Sequence, residues 1–322
     1  MKKMKMKFAL HAAFAALAGL GGLAAHAAYP DHPVRIIIPF PPGGTLDTVG
    51  RDLAQKLGEQ TGQSFIVDNR AGGNGLIGAG LVTQAKPDGY TLLFNASTFI
   101  TAPMTMKKPP YDVIKNFTPI ALVAKAPLAV SVNKNLPVTD VAGLLAYSKS
   151  HPGKLMFAVG SIGSAGHLGT EMLKREGGLD YTVVPYRGSS PAYQDLIGGQ
   201  IDGFVDPVLG ALESYKGGLL KILAVTSDKR LPNLPQVPTV SETIPGYEAY
   251  SWYGLWGPAN MPAAVVEKIN AEVNTALAKL KAKYLPTGVL LTPGSVADFA
   301  KFQRADMVRS RKIIEEGHIH VD

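Results

Sequence analysis

The 322-residue chain contains no cysteine, which excludes a disulfide framework and a lipid-anchoring cysteine. Beyond the first few residues it has no lysine/arginine run and no basic strip interleaved with aromatics, so nucleic acid is not an expected partner. Histidines are few and scattered. His318 and His320 fall in a C-terminal tail with no carboxylate or cysteine pattern beside them, and no metal or other cofactor is expected. The chain lacks a Walker-type lysine turn and a Gly-x-Ser-x-Gly elbow. Its longest apolar run, Phe8 to Leu23, is too short and too weakly flanked for a transmembrane helix.

What is present begins with that run. Lys2, Lys3, Lys5 and Lys7 precede it, and Ala25-His26-Ala27 follows as a small-x-small cleavage site. Residues 1–27 therefore read as a signal peptide, with Ala28 as the mature start and the periplasm as destination. The formal charge of +7 includes those four lysines and no acid from the same segment, so the remainder carries +3. About 295 residues remain, enough for two lobes stable on their cores alone.

From Pro30 onward, short apolar strands alternate with amphipathic helices. Strands are expected at 34–39, 64–68, 90–95, 119–124, 127–132, 155–159, 181–185, 202–205, 221–226 and 251–257. Helices are expected at 45–60, 74–86, 139–150, 165–176, 190–198, 207–216, 262–284 and 295–316. Such alternation predicts an α/β fold with mostly parallel sheets and helices on both faces. Thr139-Asp140 and Ser190-Pro191 read as N-caps, Ser295 starts the last helix, and Gly317 closes it. No flexible linker is visible, so the lobes must be joined by strands. Val123–Val132, interrupted at Pro127, and Ala249–Trp256 are the expected crossings. Lobe 1 is then 28–126 plus 251–322, lobe 2 is 127–250, and a cleft lies between them.

The run Val34-Arg35-Ile36-Ile37-Ile38-Pro39-Phe40-Pro41-Pro42-Gly43-Gly44-Thr45-Leu46-Asp47 is a buried strand that stops at a rigid turn and feeds a helix. Gly43 and Gly44 let backbone N–H groups face a ligand, and the helix N-terminus adds partial positive charge. This is a small-anion site built mainly from backbone. A second turn of the same kind is Gly160-Ser161-Ile162-Gly163-Ser164-Ala165-Gly166-His167, where Ser161 and Ser164 either cap the helix or meet an anion. Asn95 and Ser97 end another strand with hydrogen-bonding side chains. Arg187 is placed to meet a carboxylate or to form a salt bridge, and Asp206-Pro207 ends a strand in the same lobe. Trp252, Tyr253 and Trp256 wall the cleft or pack the hinge, with packing the preferred reading. Gly73-Asn74-Gly75-Leu76-Ile77-Gly78 matches a dinucleotide pattern, but the next strand carries no carboxylate for a ribose, so these glycines are read as tight packing. Ser164 and His167 lie three apart at a helix start, a poor alignment for nucleophile and base.

Taken in order, these turns resemble the tripartite tricarboxylate transporter substrate-binding proteins, the Bug family of periplasmic solute receptors. The likeness rests on Tyr29-Pro30, the Phe-Pro-Pro-Gly-Gly turn, Val67–Gly73, Pro87–Leu93, Tyr186-Arg187-Gly188, Leu223–Ser227, Pro235–Val240 and Trp252–Pro258. It covers essentially all of the mature chain. The resemblance implies a two-lobed, type II-like Venus flytrap that is not an enzyme and works as a monomer with membrane permease subunits. It places one ligand carboxylate on Pro42, Gly43, Gly44 and Asp47, opposite Ser161, Ser164, His167 and Asp206. Thr45 stands where a third glycine is frequent, and Arg187 where lysine is common. A di- or tricarboxylate is expected as ligand, linear or aromatic (terephthalate is one candidate), with Phe40, Phe94 and Phe99 as an apolar wall. The alternatives are a ligand-sensing co-receptor for a membrane sensor and a periplasmic hydrolase using Ser164 and His167.

Overall fold

The computed structural model describes residues 29–320; the expected signal peptide lies outside the described residues. Among the described residues, no helix is long and apolar enough to cross a membrane. The chain opens with β1 (Val34–Ile38), α1 (Thr45–Thr61), β2 (Phe65–Asn69), α2 (Leu76–Thr83), β3 (Thr91–Ala96) and the short α3 (Thr98–Thr101). β4 (Phe117–Asn133), α4 (Val141–Ser150), β5 (Leu155–Val159), α5 (Ala165–Gly177), β6 (Tyr181–Pro185), α6 (Ser189–Gly198) and β7 (Gly203–Pro207) follow. Then come α7 (Val208–Lys216), β8 (Leu220–Val225), β9 (Tyr250–Pro258), α8 (Ala263–Tyr284), β10 (Leu290–Leu291) and α9 (Val296–Glu316). Most expected elements appear within one or two residues. The expected helix at 74–86 instead starts at Leu76, because Gly73–Gly75 form a 3-10 turn in which Asn74 has positive φ.

The strand order is β2-β1-β3-β9-β4-β7-β5-β6, with β8 and β10 also pairing β4. β1 pairs β2 and β3 in parallel, and β5 pairs β6 and β7 in parallel. Every pairing of β4 and β9 is antiparallel, so the sheet as a whole is mixed. The reason lies in chain direction: β4 and β9 run between the parallel units rather than belonging to a strand–helix–strand repeat. Two strands expected at 119–124 and 127–132 are one. Its first part pairs β9 up to Pro127, and Leu128 begins the pairing with β7. Pro127 falls at the change of partner, where its missing N–H removes least from the ladder. β9 pairs entirely with β3 and β4 from Tyr250 onward.

Burial explains why the strands read as continuous apolar runs. Val34, Ile36 and Ile38 pack under α1 and α8, beside Leu53, Leu57, Val273 and Leu277. Ile37 points the other way, to Val82 of α2 and Phe299 of α9. Leu128, Val130 and Val132 face α4 and α5, while Ala129 faces α6 and α7. Helices thus cover both faces. Asp140 caps α4 through the Gly143 N–H, and Ser295 caps α9 in a reciprocal box with Asp298. Ser190 is not a cap. α6 begins one residue earlier, at Ser189 after Gly188, whose φ of 112° suits glycine; Pro191 sits in the first turn, where no intrahelical N–H is needed.

Candidate functional site

A cavity of about 80 Å³ lies where the β1–α1 turn meets the ends of β5 and β7. The turn is set by Gly43, whose φ is 95°. Gly44 precedes α1 in an extended conformation with no side-chain cap, and the first intrahelical bond is from the Thr48 N–H to the Gly44 carbonyl. The N–H groups of the first turn therefore keep their capacity for an outside acceptor. Across the cavity, Ser164 caps α5 by accepting the His167 N–H, and Ala165 and Gly166 line the wall beside it. A Cβ on Gly166 would come within 2.3 Å of the Val205 carbonyl, so only glycine lets the start of α5 press onto β7. The first residues of α6, Ser189 and Ser190, and Pro207 just before α7 complete this side. Four helix N-termini converge on one cavity, and none of its lining residues is lysine, arginine or histidine.

Asp47 holds the near jaw together. Its Oδ2 accepts from the Gly43 N–H (3.1 Å) and Arg51 Nε (2.9 Å), and its Oδ1 from Asn69 Nδ2 (2.9 Å). Burial pushes its pKa up, but the Arg51, Asn69 and Gly43 hydrogen bonds outweigh this and hold it below the usual value. Asp206 is the opposite case. Its Oδ1 accepts from the Ser189 hydroxyl at 3.0 Å, its Oδ2 has no partner, and burial raises its pKa to about 7.

Of the residues expected at the site, Phe40, Gly44, Asp47, Ser161, Ser164 and Asp206 line this cavity. Pro42 and Gly43 form its lip: the Pro42 carbonyl accepts from the Ser190 hydroxyl at 3.3 Å, and the Gly43 N–H is taken by Asp47 rather than turned inward. Asn95 lies off the lining with its Oδ1 on the Ala96 N–H, and Ser97 borders a separate cavity with Thr101 and Ser310. His167 also lies off the lining. Its Nδ1 accepts the Gly163 N–H at 3.0 Å, and burial lowers its pKa to about 4, so the neutral ring secures the turn. Ser164 Oγ meets the His167 backbone, not its ring, which leaves no nucleophile–base pair. Phe94 and Phe99 sit in the cores and wall nothing. Arg187 is exposed and lines a neighbouring cavity of about 470 Å³, which shares Phe40, Pro41, Gly160 and Ser161 with the first.

The chain matches the family model described as tripartite tricarboxylate transporter family receptor over residues 49–319. It belongs to that receptor family. Protein BugT of Bordetella pertussis is 35% identical over 254 residues, covering 77% of each chain. The solved structure of R. palustris Rpa4515 with adipate is 34% identical, with a TM-score of 0.86 over 91% of this chain and 99% of that one. MatC from Rhodopseudomonas palustris with bound malate is 29% identical, with a TM-score of 0.83 over 89% of this chain and all of its own. Family members are solute-binding receptors, not enzymes, and share the two-lobed α/β architecture.

The residues that sequence reasoning undervalued in this receptor are Tyr253, Ser189 and Asn74. Along β9, Trp252 and Trp256 turn to α9, donating to Asp306 and Gln303 at 2.7 Å each, while Tyr253 alternates to the cavity. Strand periodicity carries that signal. Asn74 donates to the Ile162 carbonyl at 2.7 Å and accepts from the Ser161 hydroxyl, tying the dinucleotide look-alike to the opposing turn. A Cβ at Gly78 would meet Pro39 at 2.6 Å, in keeping with glycines that serve tight packing.

Proposed function

We propose that this receptor captures a small organic carboxylate in the cleft, in the periplasm, and delivers it as a monomer to the permease subunits of a tripartite transporter. The observation that carries the reading is the convergence of four helix N-termini on a cavity with no cationic side chain. Such a site favours an anion through N–H groups and helix dipoles, and closure strengthens both by excluding water. The adipate and malate in the two Rhodopseudomonas proteins support the carboxylate class.

The proposed lobes are 28–126 plus 251–322 and 127–250, exchanging chain at β4 and just before β9. Thr226 spans both crossings: its hydroxyl accepts the Leu128 N–H at 2.7 Å and donates to the Ala249 carbonyl at 2.6 Å. One ligand carboxylate docks at Gly44–Asp47, with Ser161, Ser164 and Asp206 opposite. A second carboxylate, of a linear diacid or of terephthalate, extends toward Arg187 through the adjoining cavity. Thermal-shift screening of mono-, di- and tricarboxylates, including adipate, malate and terephthalate, tests this. A true ligand raises the melting temperature in proportion to the logarithm of its concentration. Stabilisation by neutral or cationic solutes alone would overturn the reading.

A further inference from the structure

The anion cavity contains an acid that no cation balances. Asp206 ends β7, buried, with one oxygen on Ser189 and the other unpaired. Three further buried hydroxyls close by, those of Thr45, Tyr253 and Tyr193, make no hydrogen bond of normal length and angle; Tyr253 lies beside Thr45 and Ser251, and Tyr193 beside Asp206. Thr45 and Tyr253 line the cavity with Asp206. Tyr193 and Asp206 Oδ2 crowd the same flank of Gly210, 3.4 and 3.3 Å from where its Cβ would be. Unpaired buried oxygens gathered at one cavity mark a place where a ligand completes the hydrogen bonding.

The chemistry of that completion is constrained. A bound carboxylate accepts hydrogen bonds only, and so does an ionised Asp206. Two such groups in one small cavity repel, and a proton between them turns repulsion into a hydrogen bond. The groups that bear on Asp206 cannot neutralise it otherwise. The Ser189 and Tyr193 hydroxyls favour its charged form, but burial outweighs both; Tyr193 from α6 and Tyr253 from β9 are buried phenols with raised pKa, and Asp47 from α1 is committed to Arg51, Asn69 and Gly43. On α5, His167 is neutral and engaged by Gly163.

We infer that capture of a carboxylate in this cleft takes up one proton from solvent, which Asp206 holds and donates in a hydrogen bond to the bound anion. The inference rests on the carboxylate-binding reading above. Burial already raises Asp206 to about pKa 7, so the empty protein needs only a modest further push. Binding would then be independent of pH in mild acid and weaken above neutrality by about tenfold per pH unit. An acidic side chain would thereby favour the binding of an acid.

Calorimetric titration with adipate and with malate, both fully ionised at about pH 8.5, tests the inference in two buffers of different ionisation enthalpy. The observed heat is expected to differ between buffers by the equivalent of one proton taken up at that pH, and by almost none near pH 6. In Asp206→Asn, whose amide donates without titrating, uptake disappears and affinity becomes independent of pH. Binding with no proton uptake and unchanged affinity at alkaline pH would overturn the inference and leave the carboxylate reading standing. Failure of both acids, and of the wider screen, to bind at any pH would overturn both. The wild-type proton count stands whether or not the variant folds.

Discussion

Replacing Asp47 by alanine removes the fastener of the first jaw. The carboxylate is only about 6% exposed and accepts three hydrogen bonds, from the Gly43 N–H, Arg51 and Asn69. Arg51 is about half exposed, so its ion pair contributes roughly 0.5 kcal/mol. Gly43 is exposed and exchanges its partner for water, whereas Asn69 keeps a bond to the Phe40 carbonyl at 3.0 Å. With about 1 kcal/mol for each of these two bonds, the loss totals about 2–3 kcal/mol. Urea denaturation at neutral pH measures it directly. Acid provides an internal check. Because the folded pKa is depressed, the carboxylate's contribution is fully present above the unfolded value and is lost as pH falls through the folded one. The stability difference between wild type and Asp47→Ala must therefore shrink below about pH 4. A difference under about 0.5 kcal/mol at neutral pH, or one that grows in acid, would refute the role assigned to Asp47.

Two other perturbations address the closing of the lobes. Asn74→Ala deletes the ties to Ile162 and Ser161 across the cleft. Small-angle scattering of the ligand-free variant is expected to show a larger radius than wild type, with carboxylate affinity down several-fold; an unchanged radius and affinity would dismiss the tie as incidental. Thr226→Val preserves volume but strands the Leu128 N–H and the Ala249 carbonyl in a buried setting. A loss of about 1–3 kcal/mol in denaturant melts follows from two unpaired groups, and a melt identical to wild type would contradict it.

Much of the molecule was legible from local chemistry. Val34–Ile38 is apolar apart from the half-buried Arg35 because both faces are covered, and Asp140, Ser164 and Ser295 each accept the N–H that a cap should. The site was legible in outline, since glycine-rich turns at strand ends mark where helix N-termini open toward a ligand. It was less legible in detail, because a side chain's role depends on which partner reaches it first. Gly43, His167 and Asn95 are each taken up by a neighbour a few residues away, and Arg187 lands on the adjoining cavity. Nothing in the order of residues reveals those competitions.

By itself, the sequence determined the alternation of strands and helices, the family, and the glycine-rich turns that meet at the cavity, because these rest on periodicity, capping and the conformational freedom of glycine over short spans. Only the tertiary structure decided that Asp206, Thr45 and Tyr253, up to 208 positions apart, bring buried oxygens to one cavity, with Tyr193 behind Asp206. Desolvation is a property of enclosure, and enclosure comes from distant segments packing together. The same carboxyl that would be an ordinary surface acid on an open strand becomes, inside the cleft, a group able to hold its proton near neutrality.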